Sequence, residues 1–132
     1  MKSLAKVTND ELKNEFVSLT VERHAASAAS VANKLFQKRL RIHRELRRRG
    51  HDALKAFEPL LTSEQPEVRL AAAYVCLETT PSASLKVLSD LLNDNDFFIA
   101  APASGILDCW SRKMLTFPDP DGRGFSKVPS YG

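Results

Sequence analysis

The sequence predicts an all-α chain, a small α-solenoid of stacked antiparallel helix hairpins with about six helices. Three observations carry this expectation. Apolar residues recur at spacings of three and four along most of the 132 residues. Glycine, which a turn-rich β sandwich or barrel needs at many corners, occurs only five times, and Gly122, Gly124 and Gly132 stand within the last eleven residues. A shift of 31 residues superimposes one helical hairpin on the next.

The first helix begins at Thr8-Asn9-Asp10-Glu11, a capping box in which Thr8 and Glu11 each satisfy a free backbone N–H. Leu12, Phe16 and Leu19 then line one face, which predicts a helix over about 9–23. The small residues of 24–30 fit either a continuous helix or a break. From Val31 the pattern is firm. At 100° per residue Val31, Leu35, Phe36, Ile42 and Leu46 fall within an arc of roughly 140°, with Lys34, Lys38, Arg41, Arg44 and Arg48 on the opposite side. Gly50 ends this helix, and Arg47, Arg48 and Arg49 stand where the dipole favours cations.

Leu54, Phe57, Leu60 and Leu61 continue the helical spacing, with Pro59 set to bend it or remove a hydrogen bond. Pro66 opens the next helix at a position where its missing N–H costs nothing. That helix is apolar on most sides (Val68, Leu70, Ala71, Ala72, Val75, Cys76, Leu77) and is expected to be central. Leu85, Leu88, Leu91 and Leu92 mark a further helix at about 82–92. A last one is expected at about 97–115, its first half weakened by Pro102 and Gly105. These helices form a single domain over 1–115, and 116–132 reads as an irregular C-terminal tail that is either disordered or pinned by Phe125 and Tyr131.

Composition narrows the function classes. The two cysteines, Cys76 and Cys109, lie in apolar helical patterns and read as buried reduced thiols rather than a disulfide framework. The N-terminus has no apolar core of a signal peptide and no run reaches eighteen apolar residues, so a cytoplasmic location is expected. Net charge is +3, but residues 31–50 alone carry +7, which leaves the rest of the chain at −4. One helix is basic on a mildly acidic body.

Under the 31-residue shift, Leu54-Lys55-Ala56-Phe57 falls on Leu85-Lys86-Val87-Leu88, Leu60-Leu61 on Leu91-Leu92, Val68 on Ile99, Ala72 on Ala103 and Val75 on Ile106. Each hairpin leaves an apolar face that stacking buries. Leu60-Leu61, Pro66-Glu67-Val68-Arg69, Ala72 and Leu77 resemble a HEAT-type repeat with its Val-Arg pair in the second helix. Together with Asn33 and Glu45-Leu46-Arg47-Arg48-Arg49-Gly50, they are similar to a bacterial family catalogued as a domain of unknown function, number 2019, over roughly residues 10–112. The second unit departs from the pattern, with Ala100 in the place of Arg69. The resemblance implies a HEAT-like helical fold and structural roles for Asn33, Glu45, Arg49, Gly50 and Arg69. It also implies an immunity or adaptor role, since small HEAT-like proteins are often carried in bacterial toxin–immunity loci. The repeat arginine usually pairs with an acid, and Glu64, Glu67, Asp94 and Asp96 are at hand for Arg69.

Motifs for catalysis are missing from the sequence. His24, His43 and His51 have no acid or cysteine at metal or triad spacing, and there is no phosphate loop, HExxH or CxxC. The expectation is a non-enzyme with no cofactor and no metal, and His43 reads as a core-edge histidine. Arg39 falls inside the apolar arc, so its stem either snorkels or meets a carboxylate from the body. The candidate partner-binding surface is the stripe Lys34, Lys38, Arg41, Arg44 and Arg48, which runs for roughly 20 Å at 1.5 Å per residue. Another protein is the expected partner. Nucleic acid is the alternative, disfavoured by the lack of interleaved aromatics, and self-association through exposed apolar residues is a third reading.

Overall fold

In the computed structural model residues 4–122 and 124–127 are described; Arg123 and Tyr131 lie outside them. The capping box forms as its sequence requires: Glu11 N donates to Thr8 Oγ1 at 3.1 Å and Thr8 N to Glu11 Oε1 at 3.1 Å. It opens α1, Asn9–Ala25, which buries Leu12, Phe16, Leu19 and Thr20. At Ala26 the backbone turns extended (φ −69°, ψ 130°), so the small-residue segment is a break. Helix α2 spans Ala29–Arg49 and packs against α1.

The buried side of α2 holds Leu35, Leu40, Ile42, His43 and Leu46. This arc is turned toward Leu40 relative to the one expected. Val31 therefore falls at its edge, in the first turn, and is 48% exposed, while Arg39 falls near its middle. Gly50 stops the helix with φ +106°, a conformation that L side chains rarely adopt, and its N–H reaches Leu46 O at 3.0 Å.

After α3, His51–Lys55, the expected effect of Pro59 takes a specific form: the chain tightens into a 3₁₀ helix over Glu58–Thr62. Phe57, at its start, is fully buried and meets Phe16 edge-on at 4.9 Å, which joins this segment to α1. Pro66 opens α4, Pro66–Cys76, which buries Val68, Ala71, Ala72, Ala73, Val75 and Cys76. Its neighbours are α1, α3, the 3₁₀ helix, α5 and α6, so it is central. Burial lifts the Cys76 thiol to about 12, leaving it inert, whereas Cys109, expected to be buried as well, is a free thiol that is only half-buried. Helices α5, Pro81–Leu91, and α6, Phe97–Ser111, complete the chain's all-α architecture.

Helix α6 is unbroken, contrary to the expectation at Pro102 and Gly105. Asp96 caps it by accepting from Phe98 N at 2.9 Å, and burial of Ile99 and Ala103 holds the turn around the proline, which is itself exposed. Phe98 is 77% exposed.

The positions related by 31 residues are equivalent in part. Val68 and Ile99 are each 1% exposed, Ala72 and Ala103 0%, and Phe57 and Leu88 0%. Leu61 is buried but Leu92 is 44% exposed. The two units differ locally: Leu61 lies within the 3₁₀ turn of the first, whereas Leu92 stands at the C-terminal cap of α5, just past its last buried residue, Leu91. Removing methyl groups at the matched sites should cost about 1–3 kcal/mol for Val68→Ala and about 0.5–1.5 kcal/mol for Ile99→Val. Exposed Lys55 and Lys86 should tolerate alanine within about 0.5 kcal/mol. Urea titrations of the four variants check this.

The segment expected as an irregular tail is partly ordered. Phe117–Pro118 (β1) pairs antiparallel with Phe125–Ser126 (β2), and Phe117, fully buried, stacks on Tyr74 at 5.0 Å. Phe117 rather than Phe125, which is 49% exposed, supplies the anchor.

Candidate functional site

The arginine run at the end of α2 is divided between structure and surface. Arg47 donates to Glu78 Oε1 at 2.7 Å, to Glu78 Oε2 at 3.2 Å and to Pro118 O at 2.6 Å, and its guanidinium lies 5.6 Å from the Phe117 ring. It ties α2, the end of α4 and β1 together. Arg49 reaches Glu45 Oε2 (2.7 Å), Asn9 Oδ1 (2.9 Å) and Leu4 O (2.7 Å), and so holds the chain that precedes α1. Glu45 also takes a fork from Arg48 at 2.8 and 2.5 Å. That fork, with the Arg49 bond, holds the Glu45 carboxyl down to about 2 against the opposing effect of burial. Of the residues expected to be structural, Glu45, Arg49 and Gly50 are engaged in this way, while Asn33 is exposed. Arg69 departs from its expected acid partner: its Nη1 donates to Ser63 O at 2.6 Å, a carbonyl left over at the end of the 3₁₀ helix and within easy reach.

The five-residue stripe on α2 is not one uniform surface. Lys34 and Lys38 are exposed. Arg44 is half-buried, because its Nε and Nη2 donate to Asp119 O (2.9 Å) and Gly124 O (3.3 Å) of the C-terminal segment. Arg48 is spoken for by Glu45. Lys38, Arg41 and Arg44 stand on one side of a groove of about 760 Å³ between α1 and α2. Glu11 and Glu15 line the other side, and the buried Leu12, Leu19 and Ile42 give it an apolar floor.

Sequence reasoning missed a second site on the opposite side of α2. Among the described residues Arg39 meets no carboxylate: its buried guanidinium donates to Thr20 Oγ1 at 3.3 Å and lies over the rings of Phe16 (5.6 Å) and Phe36 (5.5 Å). Burial, then the charge of Arg23, pulls its guanidinium down to about 10. The signal available in sequence was the charge inside the apolar arc. His43, expected at the edge of the core, is 2% exposed, with a Nε2 that has no hydrogen-bond partner among the described residues. Burial first, then the charges of Arg47, Arg39 and Arg44, depress it to about 3. Among the described residues no group of three or more His, Cys, Asp or Glu side chains is placed to hold a metal ion, and no helix is long and apolar enough to cross a membrane.

The model of the family described as "Domain of unknown function (DUF2019)" matches residues 10–110, from α1 to the last turn of α6. The chain belongs to the DUF2019 family. The matched region contains the groove between α1 and α2 except for the contributions of Leu4 and Val7. The fold is also similar to that of the protein RPA1889 from Rhodopseudomonas palustris CGA009, known from a crystal structure. The two superimpose with a TM-score of 0.80 at 27% identity, over 87% of this chain and 98% of that one. No curated protein matches the chain.

Proposed function

We propose that this DUF2019 chain is a non-catalytic protein-binding module, an immunity or adaptor protein of the bacterial cytoplasm, built on a HEAT-like stack of α3 to α6. The matched burial of Val68 with Ile99 and of Ala72 with Ala103 supports the repeat reading. The observation that carries the function is the groove between α1 and α2. An apolar floor flanked by opposite charges suits an amphipathic helix of a partner, whose apolar face fills the floor while its charged edges meet Lys38 and Arg41 on one side and Glu11 and Glu15 on the other.

Nucleic acid along the same stripe is the competing reading, favoured by the exposed Lys34 and Lys38. It is weakened by the two glutamates lining the groove and by the use of Arg44 and Arg48 in internal contacts. Two measurements separate these readings. Pull-down from the native cell should recover a specific protein that is lost with Lys38→Glu and Arg41→Glu combined, with the melting temperature of the variant measured alongside. Recovery of the same partner by the reversed variant removes this groove from the account. Binding to duplex DNA or RNA at about 50 mM salt, falling steeply as salt rises, would replace the protein reading with the nucleic-acid one.

A further inference from the structure

Two guanidinium groups converge on one aromatic ring. Arg23 Cζ stands 4.9 Å from the Phe36 centroid and Arg39 Cζ 5.5 Å from it. Arg47, Arg48 and Arg49 each have a carboxylate, but among the described residues none lies within 4.0 Å of Arg23 or Arg39. Arg23 Nε is buried with no hydrogen-bond partner. The one hydroxyl that Arg39 reaches, on Thr20, sends its own proton to Phe16 O at 2.7 Å, so it accepts from Arg39 without neutralising it. Glu67 lines the small cleft of about 50 Å³ beside the two arginines without pairing to them, and His24 there is paired with Asp96 at 3.0 Å. Like charges brought together with little water and no counter-ion are costly to the fold, and an incoming anion removes that cost.

The cleft opens into an apolar groove of about 460 Å³ that runs between α2, α4 and α6 to Leu115 and Phe125. Phe98 lines both and is 77% exposed, with Phe97 beside it at 72%. We propose that this cleft and groove form a second docking site, taking a partner-protein segment in which an acidic side chain stands beside apolar or aromatic ones. The carboxylate bridges Arg23 and Arg39, and its apolar neighbours fill the groove against Phe36, Tyr74, Phe98 and Ile106. Arginine and aromatic side chains around a desolvated pocket are the usual centre of a protein interface. A small acid would satisfy the arginines but leave the Phe97–Phe98 rim uncovered, which favours a protein segment. The proposal rests on the protein-binding reading but uses a different surface.

The test is an NMR titration of the full chain with the end-blocked peptide LEFL, its LQFL counterpart, and phenylacetate. LEFL is expected to shift the Nε–H signals of Arg23 and Arg39 and the amides of Phe98 and Ile106. It should bind roughly tenfold or more tightly than LQFL, the worth of a charge-assisted hydrogen bond, and Arg39→Met should remove that advantage. The melting temperature of Arg39→Met, measured alongside, separates loss of the carboxylate contact from loss of the Thr20 hydrogen bond and the contacts with Phe16 and Phe36. Arg23→Met carries the same comparison should Arg39→Met fail to fold. Equal affinity for LEFL and LQFL, or an advantage that survives both methionine variants, overturns the proposal. So does phenylacetate binding as tightly as LEFL, which would make the ligand a small acid, or a concentration-dependent dimer that covers Phe98. Peptide binding is read without the native partner, so failure here leaves the α1–α2 groove and its pull-down untouched.

Discussion

Replacing Arg47 with methionine should destabilise the fold by about 3–5 kcal/mol, the usual loss when one member of a buried ion pair is removed. The Arg47 and Glu78 side chains are only 9% and 15% exposed, and the same guanidinium also satisfies Pro118 O. What remains in the variant is a buried carboxylate without its counter-charge and a carbonyl without its donor. Adding Glu78→Leu should recover much of the loss, since two apolar side chains no longer need each other. A urea denaturation cycle of the four proteins measures the coupling directly. The pH dependence carries a second signature. Burial already raises the Glu78 carboxyl above its ordinary value, with Arg47 opposing, and without Arg47 it rises further. Between the unfolded and folded values the native state then binds the extra proton, so stability grows as pH falls. The deficit of Arg47→Met should therefore be largest at neutral pH and shrink on acidification. A deficit independent of both pH and Glu78 would mean that the ion pair is not what holds α2 to the end of α4.

His43 should make the protein sensitive to acid in the opposite sense. Its folded value of about 3 lies below the ordinary 6.5, because a proton on the ring would be buried and would face Arg47, Arg39 and Arg44. Such a group contributes stability that is fully present above the unfolded value and is lost as pH falls toward the folded one. From pH 7.5 to pH 3.5 the loss amounts to about 4 kcal/mol, at 1.36 kcal/mol per unit of pH. Carboxylates such as Glu45 and Glu11, held below their ordinary values, add to it only below the usual carboxylate range. Between pH 6.5 and 4.5 the raised Glu78 carboxyl acts in the opposite sense in both proteins, so the histidine shows in their difference: the wild type should lose about 2 kcal/mol more than His43→Leu across this window. The comparison is one of slopes, so it stands even if leucine changes the baseline stability. Parallel slopes would show that the ring acquires its proton while folded.

How far each feature could be read in the sequence follows from how local its cause is. The capping box at Thr8, the stop at Gly50, the opening of α4 at Pro66 and the central place of α4 depend on a few neighbouring residues, and all were legible. The breaks at Ala26 and Pro59 were visible only as weak points, since several backbone paths satisfy the same residues. Helix α6 is apolar on so many sides that periodicity could not choose its buried face, which takes Ile99 and leaves the neighbouring Phe98 exposed. The stripe on α2 was legible as a row of charges but not as a surface, because what Arg44 does is decided by carbonyls at Asp119 and Gly124. The Arg23–Arg39 cluster joins two helices, and only the position of Arg39 within an apolar arc hinted at it.

The fastening of Arg44 and Arg47 to the segment after α6 also bears on how the chain acquires its structure. These bonds span 71 to 80 residues, whereas the capping box spans three and the Glu45–Arg49 pair four. Closing so long a loop carries its entropy cost before any bond is returned, so contacts of this separation form late. During synthesis Arg47 has no carbonyl from Pro118, and His43 and Tyr74 no Phe117 ring, until β1 has left the ribosome. Until then this corner of the core stays open to solvent around an unprotected histidine. The corner around His43 therefore closes only when translation has reached β1, whose residues cover it.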